Sequence, residues 1–248
     1  MTLNIAYKLI KIADKILNIL IYLFLCIVFL FCLYALFDTI KVYVRASSQS
    51  VSVLKPTKED PINSLKSLQK INEDVVGWIT IDGTKIDYPV VVGESNEEYL
   101  SKDVYGNYSL AGSLFLDYRN SRKFDDIYSV IFGHHMNGGT MFGNIQKFID
   151  REYFERNKTG TLYTERGVYN LEVIAYISTD AYDSTIYSIN KDDLEQQNKL
   201  VEYIKRKAVN YRQVGLTKYD KIICLSTCST ATTNGRDILM VKVVGGGD

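Results

Sequence analysis

The chain has 248 residues; its 29 Lys and Arg equal its 29 Asp and Glu, 46% of it is hydrophobic, and it carries four cysteines and two histidines. Nothing in this balanced charge points to nucleic-acid binding, which rests on neutralising phosphates. Length and apolar content fit one folded domain plus one extra apolar segment.

That extra segment is Ile16–Phe37, where Asn18 is the only strongly polar residue. At about 1.5 Å of rise per residue it reaches across the roughly 30 Å of a bilayer core, and it reads as a transmembrane helix. The competing reading is a cleaved signal peptide, whose apolar region is usually about 7–15 residues followed by a small-residue cleavage site. This run is longer and continues into Asp38-Thr-Ile-Lys-Val-Tyr43. Lys8, Lys11 and Lys15 precede it and Lys41 and Arg45 follow, a slight bias toward a cytoplasmic N-terminus at residues 1–15, with the bulk of the chain outside. Cys26 and Cys32 lie inside the span and cannot pair with the others. Cys224 and Cys228, four apart on one expected strand, are too far apart to bridge. No disulfide is expected, which leaves Cys228 a free thiol.

Residues 38–59 form a stalk, Ser-rich and polar between Ala46 and Glu59 and ending near Pro56 and Pro61. The folded domain covers 60–248. It opens on a short amphipathic helix, with Asp60 as N-cap, Pro61 at the first position, and Ile62, Leu65, Leu68 and Ile71 on one face. From there the pattern alternates. Strands are expected at Val76–Ile81 and Ile86–Val92, joined by a tight Asp82-Gly83 turn with both central residues at positive φ. Further strands are expected at Ser113–Asp117, Ile127–Phe132, Gly160–Glu165, Val168–Ser178, Lys221–Ser226 and Asp237–Val244. Eight short strands predict a closed β-barrel. A helix over Asp192–Tyr211, with Leu194, Val201, Ile204, Ala208 and Tyr211 at helical spacing, is inserted before the cysteine strand.

Leu225-Ser-Thr-Cys228 places a thiol between an apolar strand and a polar loop, followed by Arg236 at the mouth of the last strand. His134-His135 end the apolar run Ile127–Gly133. A thiol, an imidazole and a fixed positive charge, each at a strand end, are the chemistries that acyl transfer needs. Each has a plainer reading. Cys224, inside Ile222-Ile-Cys-Leu225, reads as a small buried hydrophobe, and Arg236 could pair on the surface with Asp237. A zinc site from Cys224, Cys228, His134 and His135 is geometrically unattractive, because adjacent histidines at a strand end point apart.

Taken together, the domain resembles a class B sortase, a membrane-anchored cysteine transpeptidase of Gram-positive surfaces. Leu225-Ser-Thr-Cys228 matches the family's cysteine motif, Gly133-His134 its histidine motif and Arg236 its arginine. Val76-Gly-Trp-Ile79, Tyr88-Pro-Val90, Gly112-Ser-Leu-Phe-Leu-Asp-Tyr-Arg-Asn120 and Thr140-Met-Phe-Gly143 also look like class B segments. The resemblance covers nearly all of the chain from Asp60, and it makes His134, rather than His135, the catalytic histidine.

The resemblance implies that Cys228 is the nucleophile, His134 the general acid and base, and Arg236 the group that holds substrate and stabilises the oxyanion. It implies cleavage of a C-terminal sorting signal of the Asn-Pro-x-Thr type after its threonine, through a thioester. The acyl group would pass to an amine of the peptidoglycan precursor or to a lysine of a pilin. Ser113, Tyr118, Asn120, Ser226 and Thr227 are candidates for the substrate groove. No cofactor is implied, and no acidic cluster supports the calcium site of some class A relatives. Two other functions remain open: a membrane-anchored cysteine peptidase with water as acceptor, and a non-enzymatic barrel that binds peptide or cell wall.

Overall fold

The structure, a computed structural model, describes residues 2–46, 54–57, 60–189 and 192–246. They fall into two units, Met1–Val44 and Arg45–Asp248. The first is one helix, α1 (Thr2–Ala46), and its stretch Tyr7–Val44 is a candidate membrane span. Leu20, Phe24, Phe31 and Phe37 all stand exposed around it. A helix apolar on every side suits hydrocarbon rather than water. No Gly or Pro interrupts residues 2–46, so α1 continues through 38–46, a stretch that composition assigns to the stalk. Stalk residues 47–53 and 58–59 lie outside the described residues.

In the second unit, Asp60 caps α2 (Pro61–Gln69) by accepting from the Asn63 amide at 3.3 Å. Leu65 and Leu68 are buried beneath the helix, whereas Ile71 is exposed. The chain has left the helix by Ile71 and is turning into β1, and this moves Ile71 off the apolar face. The remaining elements are β1 (Val75–Ile81), β2 (Asp87–Val91), β3 (Leu114–Leu116), β4 (Tyr128–Phe132), α3 (Arg151–Arg156), β5 (Thr159–Thr164) and β6 (Gly167–Asp180). They are followed by α4 (Ser184–Tyr187), α5 (Leu194–Lys207), β7 (Asn210–Tyr211), β8 (Ile222–Cys228) and β9 (Gly235–Gly246).

The strands run in the order β5-β1-β2-β3-β4-β8-β9-β6, and β5 pairs again with β6 to close the ring. This is the expected eight-stranded barrel, with β7 added outside it on β6. The β1–β2 hairpin differs from the expected tight turn. Gly83 alone has positive φ, at 73°; Ile81 bonds to Ile86, and its carbonyl also accepts from the Thr84 amide. The loop is therefore wider, and Asp82 uses its carboxylate and amide to hold Thr159.

The inserted helix is shorter than its periodicity suggested. Ala208 turns to φ −60°, ψ 130°, and Tyr211 pairs with Ala175 as part of β7. Tertiary contacts override the pattern here: Asn210 Nδ2 donates to the carbonyls of Phe148 and Ile149, and Arg212 binds Glu155 at 2.7 Å. What remains of the stripe, Val201 and Ile204, packs with Leu200 on Tyr128, Val130, Cys224 and Met240 of the sheet, while Leu194 stands exposed. Gln197, which the apolar stripe did not include, is buried with it.

Ile204 is 0% exposed, so Ile204→Asp would bury an unpaired charge against the strand that carries the cysteine. The expected result is a loss of about 3 kcal/mol or more in denaturant unfolding. An unchanged midpoint would show that α5 is loosely attached.

Candidate active site

Register brings the three chemistries together. β8 and β9 are antiparallel with Cys228 directly opposite Arg236. β4 runs parallel to β8 with Phe132 opposite Ser226, and the pairing extends one residue further as the Gly133 amide donates to the Ser226 carbonyl at 3.1 Å. His134 therefore leaves β4 beside the end of β8. Gly133 makes this approach possible, because a Cβ there would fall 2.3 Å from Leu114 Cδ2 and 2.7 Å from Phe142 Cδ2.

The result is a pocket of about 120 Å³ at the end of these strands. Its polar side is formed by His134, Ser226, Thr227, Cys228 and Arg236, and its apolar side by Leu100, Phe115 and Phe132. Phe115 and Phe132 have ring centroids 5.4 Å apart. Tyr187 closes over this wall, with its ring stacked on Phe132 at 6.0 Å and its hydroxyl 2.8 Å from Ser226 Oγ. Such a surface, part cationic and part aromatic, suits a peptide carbonyl flanked by apolar side chains.

The two cysteines of this unit differ sharply. Cys224 is 0% exposed, and burial pushes its thiol up to about 12, so it stays protonated and inert. Cys228 is exposed at the pocket. Arg236 donates from Nη1 to the Gly235 carbonyl at 2.9 Å and pairs with no carboxylate among the described residues. Asp237 instead points away and accepts from the Tyr176 hydroxyl at 2.8 Å. The Arg236 guanidinium is thus available to a substrate oxygen. His135 does not line the pocket; its Nδ1 is buried without a partner among the described residues, and its backbone bridges to Met141. Among the described residues no three His, Cys, Asp or Glu side chains are arranged to hold a metal ion.

Of the other groove candidates, Ser226 and Thr227 line the pocket, while Ser113, Tyr118 and Asn120 do not. Ser113 Oγ donates to the Lys102 carbonyl, and Asn120 is buried between Asp126 and the backbone of Tyr128 and Val130. Sequence reasoning missed Leu100, Phe115, Phe132 and Tyr187. They are apolar or aromatic residues without chemistry of their own; the pairing of β3 with β4 sets Phe115 opposite Phe132, and Leu100 and Tyr187 come in from the turn Glu98–Leu100 and from α4.

Burial holds the His134 imidazole below its usual value of 6.5, so the folded chain favours the neutral ring. As pH falls through about 6.5 the unfolded chain takes up this proton first, and the folded chain only at lower pH. Between those points the unfolded state binds more protons, so stability falls on acidification; above them the contribution is fully present. Wild type is therefore expected to lose stability relative to His134→Gln as the pH drops below about 6.5, with the gap levelling once both states are protonated. Parallel stability curves for the two proteins would contradict this.

Comparison with known proteins agrees with this fold. The sortase-domain family model matches residues 79–244. Sortase B of Staphylococcus aureus is 34% identical over 82% of this chain and 83% of its own. A mutant form of Clostridium perfringens sortase B, with serine in place of one cysteine, superposes with a TM-score of 0.74 at 30% identity, covering 79% of this chain and 96% of that one. A Streptococcus pyogenes class B sortase involved in pilus biogenesis superposes with a TM-score of 0.66 at 40% identity, covering 72% of this chain and 97% of that one. The chain belongs to the sortase family of cysteine transpeptidases, and its relatives and structural neighbours place it among the class B members.

Proposed function

We propose that the protein cleaves a C-terminal sorting signal of the Asn-Pro-x-Thr type after its threonine and transfers the new acyl end to an amine. The observation that carries this reading is the cross-strand pairing of Cys228 with Arg236 in one pocket with His134. His134, whose burial favours the neutral imidazole, takes the proton of the Cys228 thiol. The thiolate attacks the threonine carbonyl, and Arg236 donates hydrogen bonds to the oxygen as it becomes negative. The imidazolium then protonates the leaving amine as the C–N bond breaks, and a thioester remains. An incoming amine attacks the thioester, His134 accepts its proton, and the thiol is restored.

The acceptor is an amine of the cell-wall precursor or a lysine of a pilin, the second supported by the pilus-linked relative from Streptococcus pyogenes. α1 holds the enzyme to the membrane by a single span, with the barrel on the outer side of a Gram-positive cell. Mass spectrometry of the protein incubated with an Asn-Pro-x-Thr peptide tests the reading. An adduct on Cys228 that is released as an amide when triglycine is added supports transpeptidation. Release only as the free acid, unaffected by amine, identifies a peptidase, and no adduct with any such peptide refutes the proposal.

A further inference from the structure

Asp117 directly follows β3, and its side chain is 0% exposed. Its Oδ1 accepts from Arg119 Nε at 2.8 Å and from the Arg119 amide at 3.0 Å. Its Oδ2 accepts from Arg119 Nη2 at 2.7 Å and from Asn96 Nδ2 at 3.0 Å. Burial alone would raise the pKa of this carboxyl, but the Arg119 and Asn96 donors outweigh it and hold the group below its usual range. The carboxylate is thus a charged, fully bonded hub, and Asp117 itself does not line the pocket.

Two arms leave this hub. Asn96 also accepts from the Tyr118 amide at 3.0 Å, and it leads into the turn Glu98–Leu100, whose Leu100 forms one pocket wall. Arg119 Nη2 also donates to the Tyr187 carbonyl at 3.2 Å, and Tyr187 holds Phe132 and Ser226, which line the same pocket. α4 is separately held, since the Tyr128 hydroxyl donates to the Ile186 carbonyl at 2.9 Å. Losing Arg119 would therefore shift the Tyr187 end without freeing the helix.

We propose that Asp117, Arg119 and Asn96 act as a positioning clamp that sets Leu100 relative to the Tyr187, Phe132 and Ser226 group around the pocket, and so governs binding and selection of the acyl-donor peptide without entering the bond-making steps. This rests on the peptide-cleaving function proposed above. The planar guanidinium is essential to it, because one fork holds both carboxylate oxygens while a second hydrogen of Nη2 reaches Tyr187; an ammonium cannot span those positions.

The Arg119 side chain is 42% exposed, but its loss leaves the buried Asp117 carboxylate without its cation, so the unfolding transition of each variant is measured beside its kinetics. Arg119→Ala, Arg119→Lys and Asn96→Ala are assayed for kcat and KM on an Asn-Pro-x-Thr peptide, and for the rate at which iodoacetamide alkylates Cys228, which needs no groove. Arg119→Ala is expected to raise KM on the order of tenfold or more with kcat within about threefold, since a displaced wall weakens positioning. The alkylation rate should stay unchanged, and Arg119→Lys should restore only a minor part of the loss. Asn96→Ala should raise KM as well, and the double variant should fall short of the summed effects because both act through one carboxylate. An unchanged KM in Arg119→Ala, or a fall in kcat accompanied by slower alkylation, overturns the clamp. If Arg119→Ala loses cooperative unfolding, the other two variants carry the same criteria. Wild type that forms no acyl-enzyme overturns the proposed function and the clamp with it, whereas active wild type beside an unaffected Arg119→Ala overturns the clamp alone.

Discussion

Cys228→Ala is expected to reduce peptide cleavage to background while leaving the fold intact. The thiol stands exposed at the last residue of β8, so its removal opens no core cavity, and stability should change by less than about 1 kcal/mol. Cys224, the other cysteine of the barrel unit, cannot substitute, because it is buried and its thiol lies at about 12. Cys224→Ala should accordingly keep most activity apart from a packing cost. The measurement is the cleavage rate together with the adduct mass, each compared with the unfolding midpoint. Normal cleavage by Cys228→Ala would end the assignment of the nucleophile.

The second large effect concerns the two groups beside the thiol. Arg236→Ala is expected to lower kcat/KM by about 10²–10³-fold, the usual cost of an oxyanion donor, and His134→Ala by about 10²–10⁴-fold, that of a proton-transfer group. Arg236→Lys should recover little, because a compact ammonium cannot reproduce the planar fork that faces Cys228 across the strand pair. His135→Ala should remain active, since its imidazole lies outside the pocket. Steady-state kinetics on the same peptide checks all four. A dead His135→Ala beside a working His134→Ala would reverse the choice of histidine, and a fully active Arg236→Lys would reduce arginine to a simple charge.

Much of the chemistry was legible because it sits in short motifs at strand ends. An apolar run followed by a polar loop marks where a strand stops, and a reactive residue at that boundary is both fixed and accessible. The apolar span was legible for a related reason: composition alone decides what hydrocarbon accepts. Where the reading failed, a distant partner decided the local outcome. Helical spacing runs on through Ala208 and Tyr211, yet Phe148, Ile149, Ala175 and Glu155 draw that segment into an edge strand. Asp-Gly favours a tight turn, yet the contacts of Asp82 with Thr159 leave positive φ to Gly83 alone.

The sequence by itself therefore determined the apolar helix, the alternation of the barrel strands, and which cysteine of the domain ends a strand, because each depends on residues near one another in the chain. Only the tertiary structure decided that Cys228 faces Arg236, that His134 reaches the same pocket, and that Leu100, Phe132 and Tyr187 shape it. It also decided that Ser113 and Asn120 hold the scaffold through hydrogen bonds of their own. Those outcomes follow from strand register and ring closure, which join residues far apart in sequence. Side-chain pattern constrains which face a residue occupies, but not which residue from another strand lies beside it.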